Sequence, residues 1–518
     1  MCRFTFRTLA VVLAVSVSLV SFAQDKVVSK VLELGRTDNR TMVHADHLAN
    51  VIGGRIVGSS ALTHAEAWVK EQLESWGYEV IVQEAGTINV GFDRGPWSGR
   101  MLSEDGMMLH FGTPAYTAGT HGKQSGPVLI EPHSRRELER MKGALKGAWV
   151  LLDAESNGMA IDKTDKARQA RKEVLARNEE IDRQNMEIMR WNYSHRDSAA
   201  REMLPYEKVT AMFYDEMVEA GVLGFIRSAK VPLTVMYDRA GCYDITMEAL
   251  PSVCDILLDE AQFEVVRKKV LRKDIFQLEF DIRNHFYRGP VPYHNIIGVM
   301  RGSKYPKEYV IAGGHLDSYD SASGAVDDGN GTCVTLEAAR LLAAAGAKPK
   351  RTLMFCIWTA EEFGLLGSKY FVENKTVPLE AISNYINRDG GPLMATGVSV
   401  PAAMYDDYVK VCKPLADYDP DIPFAVEKRE GPARPRPTTA GGSDHAYFAM
   451  NGVPTISFRE TDPDGLNFEY REIWHTERDI YNKLIPKYME HSAVVTAVVM
   501  YGLAGLDHLL SRDGLYSN

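Results

Sequence analysis

Residues 64–77 place Trp68, Val69, Leu73 and Trp76 at roughly helical spacing, and Tyr78–Val82 follows as a short strand ended by charge. The first legible unit is therefore a helix followed by a strand. From about residue 294 the alternation resumes, with strands at Asn295–Met300 and Tyr309–Gly313, a helix at Thr332–Ala345, a strand at Thr352–Thr359, a further helix and a strand at Ile382–Asn387. Alternation of this kind predicts a three-layer α/β/α fold around a mixed, mainly parallel sheet.

The stretch 118–255 breaks the pattern with short strands at Pro127–Ile130, Ala148–Leu152, Leu223–Ile226 and Leu233–Tyr237, and reads as a β-rich insertion. It divides one domain into an earlier part, 24–117, and a later part, 256–518. Within it, 162–202 is rich in Lys, Arg and Glu and predicts a long charged helix or hairpin, a solvated arm in preference to a partner-binding one. Residues 427–442 carry too much Pro and Gly for a regular element and read as a loop. It leads directly into Ser443-Asp444-His445, and Arg429, Arg434 or Arg436 either face substrate carboxylates or belong to an ordinary surface loop.

With 518 residues, 45% hydrophobic and 25% charged, the chain can bury a large core and divide into domains. A net charge of -10 argues against nucleic acid, whose phosphates need clustered Lys and Arg, and favours a peptide or other small substrate. Arg3 and Arg7, the apolar run Leu9–Val20 and Ser21-Phe22-Ala23 read as a signal peptide over 1–23, so an exported chain, periplasmic or secreted, is expected to start at Gln24. The apolar run, about a dozen residues, is shorter than the roughly 20 that span a bilayer, and no transmembrane span is expected elsewhere. Cys242 and Cys254 are near enough in sequence for one disulfide, whereas Cys333 and Cys356 sit in apolar runs as buried thiols. No CxxC spacing exists, which speaks against thiolate zinc ligation.

The chemistry concentrates after the apolar strands. His315 and Asp327 lie in Gly313-Gly-His-Leu-Asp-Ser318 and Gly324-Ala-Val-Asp-Asp-Gly-Asn-Gly331, just beyond a strand, where open parallel sheets bind ligands. Asp317 is placed to accept a hydrogen bond from the second ring nitrogen of His315. Glu361 and Glu362 follow the next strand. Adjacent carboxylates there repel unless a cation or proton holds them, though two exposed glutamates at a helix start would also be favoured. Asp389 follows the strand Ile382–Asn387, and His475 sits in Trp474-His-Thr-Glu-Arg-Asp479. Together His315, Asp327, Glu362, Asp389 and His475 are enough to bind two divalent ions with Asp327 shared, leaving Glu361 to move a proton.

These motifs, with Ile52-Gly-Gly-Arg-Ile-Val-Gly-Ser59, resemble the co-catalytic di-zinc exopeptidases, the family of bacterial leucyl aminopeptidases, carboxypeptidase Q and glutamate carboxypeptidase II, most nearly around Gly314–Ser318, Asp327-Asp-Gly, Trp358–Glu362 and Asp389-Gly-Gly. The resemblance implies a zinc exopeptidase fold with a protease-associated domain as the insertion, and a metal site on 256–518. It also implies two Zn2+ ions, with Co2+ or Mn2+ as alternatives, and cleavage of terminal peptide bonds by metal-activated hydroxide with Glu361 as general base. Asp317 and Asp479 match partners of the two histidines, and the Asp327–Asp328 peptide is often cis in such sites. Some relatives carry a Tyr just before the last metal-binding His; this chain has Trp474, to which no oxyanion role is assigned. His445 is read as a pocket-lining or structural residue, neither a ligand nor part of a serine triad, because no Gly-x-Ser-x-Gly elbow is present. Aminopeptidase, dipeptidase and carboxypeptidase activity all stay open, as do monomer and homodimer. A glutaminyl cyclase and a catalytically silent scaffold rank behind them.

Overall fold

The computed structural model describes residues 26–103, 106–237 and 245–517, so the signal segment read at 1–23 and Cys242 lie outside the described residues. The chain forms two compact units. One takes the chain up to Ile88, Val291–Trp474 and Arg478–Asn518; the other takes Asn89–Pro290 and His475–Glu477.

The sheet of the first unit contains β1 (Glu79–Asp93), β2 (His285–Met300), β3 (Tyr305–His315), β4 (Arg351–Trp358) and β5 (Ile382–Asn387), in the order β1-β2-β4-β3-β5. β3 runs parallel to β4 and β5, and β2 antiparallel to β4, giving the mixed, mainly parallel sheet expected. Every residue of β4 is buried, as its near-continuous apolar run requires in a strand covered on both faces. Helix α1 (Ser60–Ser75) starts earlier than the apolar spacing suggests, because the Ser59 hydroxyl accepts the Leu62 N–H and caps it. Its buried stripe is Leu62, Ala65, Val69 and Leu73. Helices α2 (Asn330–Ala344) and α3 (Pro486–Gly505) are buried over most of their length, and so read as apolar on nearly all sides. The Pro- and Gly-rich 427–442 stretch is not wholly irregular: it holds the end of the strand Ala425–Lys428, and Arg434–Pro435 pairs with Tyr516–Ser517.

The second unit is built on a sheet ordered Phe111–Gly112, Cys254–Asp259, Gly224–Ala229, Trp149–Glu155, Val128–Ile130, parallel except at its first pairing. Its reach exceeds 118–255, because Gln277–Ile282 pairs antiparallel with both Trp97–Leu102 and Gln124–Gly126. Cys254 opens a central strand and packs in the apolar cluster around Trp149 and Ile256 as a buried free thiol, so the disulfide expected from its spacing to Cys242 is not made. Leu233–Tyr237 is not a strand of any sheet. Its backbone serves another segment: Val235 N–H donates to His475 O (3.2 Å), and Leu233 O accepts Glu477 N–H (3.0 Å).

The charged stretch is one 30-residue helix, Asp165–Ser194, capped by Thr164. A return segment without regular structure lies along it. Asn178, Asn185 and Asn192 each use both amide atoms, donating to the carbonyl and accepting from the N–H of Glu207, Leu204 and Arg201 respectively. Seven residues of helix advance about 10.5 Å, close to the ~9.3 Å of three residues in an extended polyproline-like chain. That match lets buried asparagines stand where an ordinary amphipathic helix would bury leucines.

Candidate metal centre

β3 ends at His315, which is 1% exposed. Its Nδ1 lies 2.8 Å from the backbone carbonyl of Asp317, so Nδ1 must donate and Nε2 is left facing the site. The expected partner was the Asp317 carboxylate, yet its Oδ1 stands 3.9 Å from Nδ1. That carboxylate instead accepts the backbone N–H groups of Glu361 and Glu362, each at 3.1 Å. It thereby fixes the turn that follows β4, where Ala360 adopts φ 54°.

Two further buried carboxylates act in the same way. Asp479 accepts from Val326 N (2.6 Å) and Asp327 N (3.2 Å), and Asp328 from His315 N (3.0 Å) and Gly331 N (2.9 Å). The approach is tight enough to require glycine: a Cβ on Gly314 would lie 2.5 Å from Asp328 Oδ2, and one on Gly331 1.6 Å from Arg388 O. The Asp327–Asp328 peptide is cis. Asp389 follows β5 by way of Arg388, whose N–H donates to Gly313 O on the neighbouring strand and whose guanidinium pairs with Glu460 at 2.5 Å.

The resulting arrangement gathers the six residues singled out in the sequence. His315 Nε2 is 3.4 Å from Asp327 Oδ1, 3.9 Å from Asp389 Oδ2 and 4.0 Å from Glu361 Oε2. Ligand atoms of His315, Asp328 and Asp389 lie within 4.8 Å of one another, as do those of Asp327, Glu362 and His475. Nitrogen and oxygen donors without a thiolate suit a divalent cation such as zinc. Asp328 is the member that sequence reasoning passed over. Its only signal was adjacency to Asp327, and its two oxygens already receive N–H groups.

Electrostatics mark the same place. Burial alone would lower the His315 pKa, but Glu361, with Asp327, Asp389 and Asp328, drives it well above the ordinary range. Burial, reinforced by Glu362, Asp444 and Asp389 and opposed by His315, pushes Glu361 well above a normal carboxylate. Burial, then Asp327, raises Asp479 to about 7. Such crowding is relieved by a proton or a cation.

Residues around the rim fall out differently. Trp474 is 49% exposed, whereas the ring of Tyr470 lies close to Gly391. Burial and the carboxylates of Asp327, Asp389, Asp328 and Glu362 push the Tyr470 hydroxyl well above its ordinary pKa. Ser443 accepts from Asn387 Nδ2 at 2.9 Å, Asp444 is fully buried with its pKa raised to about 7 by burial, and His445, half-buried, has its pKa lowered by burial. Arg434 and Arg436 are exposed and Arg429 half-buried.

Residues 295–500 match the sequence profile of peptidase family M28. That segment of the chain is similar to this family. Over 318 residues the chain is 27% identical to mouse carboxypeptidase Q, a match covering 60% of this chain and 62% of the mouse protein. Human carboxypeptidase Q is 31% identical over 305 residues, covering 58% and 59%. The matches thus span about three-fifths of the relatives' length. Among solved structures, a peptidase M28 precursor from Shewanella amazonensis superposes with TM-score 0.57 at 19% identity, covering 95% of this chain and 99% of that one. A zinc aminopeptidase from Bacillus subtilis gives 0.50 at 16% identity, covering 92% and 97%. These two likenesses extend the fold agreement to nearly the whole chain.

Proposed function

We propose that this chain is an exported, zinc-dependent exopeptidase that hydrolyses the terminal bond of short peptides, as an aminopeptidase or dipeptidase, with Glu361 as general base. The observation that carries the proposal is the place of Glu361, a member of neither donor group, directly before Glu362 of one and with its carboxylate 4.0 Å from His315 Nε2 of the other. In this reading His315 and Asp389 would hold one ion and Glu362 and His475 the other, with Asp327 available to both; Asp328 stays with its two N–H partners. The ions, when bound, supply Lewis acidity toward a carbonyl oxygen and toward water.

The protein's own groups do the rest. Glu361 takes a proton from the attacking water as its oxygen bonds to the carbonyl carbon, then delivers that proton to the amide nitrogen as the carbon–nitrogen bond breaks. Its raised pKa suits a group that must both accept and return a proton. Asp317 positions Glu361 and Glu362 through their backbone N–H groups. The second unit is read as a protease-associated domain, and export rests on residues 1–23.

The test is release of amino acids from dipeptides, longer peptides, N-acetylated peptides and C-amidated peptides by the zinc-loaded chain, with Glu361→Gln alongside. Wild type is expected to cleave free-amine substrates and to spare acetylated ones. The variant should lose at least ~10²–10⁴-fold in kcat while still holding two zinc ions. Cleavage of acetylated but not amidated peptides would instead indicate a carboxypeptidase, and no hydrolysis of any peptide sinks the proposal.

A further inference from the structure

The Ile52–Ser59 segment is unexplained by the donor set, yet its arginine is completely buried. Among the described residues the Arg55 guanidinium makes no ion pair; every bond there runs to a carbonyl. Nε donates to Leu316 O (2.7 Å), Nη1 to Gly53 O (2.7 Å) and Ser323 O (2.8 Å), and Nη2 to Gly324 O (2.8 Å). Its backbone is paired as well, with Arg55 N donating to Ser318 Oγ and Ser318 N to Arg55 O, both at 3.1 Å. The carbonyls at 316, 323 and 324 belong to the stretch without regular structure that joins His315 to Asp327.

The fit around this stretch is close on both sides. A Cβ on Gly54 would lie 2.6 Å from Ala322 O and from Asp320 Cα, and one on Gly324, at φ 60°, would lie 2.1 Å from Ser318 Oγ and 3.1 Å from Arg55 Nη2. Burial works against the guanidinium's charge, while Asp479, Asp317 and Asp328, the three carboxylates that clamp the ligand-bearing backbones, favour it.

We infer that Arg55 is a positioning residue of the metal centre: its planar fork sets the path of residues 316–324 and so the spacing between His315 and Asp327. The inference rests on the reading that these residues hold metal. A four-carbonyl set spread over Gly53, Leu316, Ser323 and Gly324 matches a guanidinium, whose donors diverge in a plane; an ammonium at the same place keeps the charge but not the geometry.

The decisive measurement is zinc affinity, taken by titrating zinc into the metal-free full chain in competition with a chromophoric chelator. Wild type, Arg55→Lys and Arg55→Met are compared under conditions where circular dichroism shows each to be folded. Wild type is expected to take up two ions. Both variants are expected to bind at least one of them ~10–100-fold more weakly, as when groups that orient metal ligands are removed. A merely structural role would lower the unfolding midpoint and leave the affinity of the folded chain unchanged, and that result overturns the inference. Wild-type affinity in Arg55→Lys alone assigns the effect to charge and overturns positioning by the fork. If the Arg55 variants do not fold, Gly54→Ala presses on the same loop with the guanidinium still present; unchanged affinity there also overturns the inference. A wild-type chain that binds no zinc removes the underlying reading, and this inference with it, whatever the variants do.

Discussion

Each unit has a five-stranded sheet with parallel strands, yet Asp255 in the second and the acids gathered at His315 in the first are held in opposite ways. In the second unit Asp255 is met on the neighbouring strand by Arg227, with Nη2 2.8 Å from both carboxylate oxygens and side chains 8% and 5% exposed. Nearer the surface, half-buried Asp153 is paired with Lys208, and exposed Glu155 with Lys230 at 2.8 Å. In the first unit Glu361, Glu362, Asp389 and Asp327 crowd toward His315 and one another, while the buried Arg388 pairs with Glu460 and the buried Arg55 spends its donors on carbonyls. What separates Asp255 from the acids at His315 is whether a cation of the chain itself is bonded to the acid. A site left electrostatically incomplete is one that a metal can complete.

The comparison breaks most easily at Arg227. Arg227→Met should destabilise the chain by ~3–5 kcal/mol in urea unfolding, because it leaves Asp255 buried without its charge partner, while zinc uptake stays at the wild-type level. Replacing Asp255 by Leu in the same chain should recover most of that loss. A single-variant cost under ~1 kcal/mol would mean that the pair is not what stabilises this sheet.

Glu131 sharpens the contrast, being an acid of the second unit with no lysine or arginine bonded to it among the described residues; its side chain accepts the Asp153 N–H at 2.6 Å. Burial raises its pKa from 4.5 to about 7. The folded state therefore holds this proton to higher pH than the unfolded state, so stability falls as pH rises from about 4.5 to about 7 and then levels off. Glu131→Gln should stabilise the chain by ~2–3 kcal/mol at pH 8 and by much less at pH 4.5, read as a difference in unfolding midpoint. Equal effects at both pH values would show that Glu131 ionises normally.

The smallest effect belongs to the arm. Asn185→Ala leaves the Leu204 N–H and carbonyl without their amide partner and should cost ~1–2 kcal/mol, with faster hydrogen exchange confined to the return segment. Unchanged exchange there would show that the asparagines do not hold it.

Much of this was open to reading along the chain, and unevenly so. β5 was delimited at Ile382–Asn387 because a short apolar run bounded by charge and loop leaves little choice of ends. His315, Glu361, Glu362 and Asp389 were recognisable because each follows such a run, at the strand ends where a parallel sheet opens. Leu233–Tyr237 was misread as a strand, since alternation marks an extended backbone but does not say what it pairs with. Cys254 was misassigned for the same reason: sequence distance to Cys242 says nothing about which way a side chain faces. Asp317 and Asp479 were noticed as companions of the histidines, but that their oxygens would go to backbone N–H groups depends on angles that no spacing encodes.

The chain's own pattern of apolar runs, glycines and clustered His, Asp and Glu determined that there would be a covered parallel sheet with acids and imidazoles at one end of it. This follows from local rules, period and adjacency, that need no partner. Only the tertiary structure decided which carboxylates gather with the histidines and which clamp a backbone, that Arg55 would turn its charge inward onto carbonyls more than two hundred and fifty positions away, and that His475 would take its place beside Asp327 and Glu362. Those outcomes hang on contacts between segments far apart in sequence, and the energy of a buried charge is set by everything that surrounds it in space.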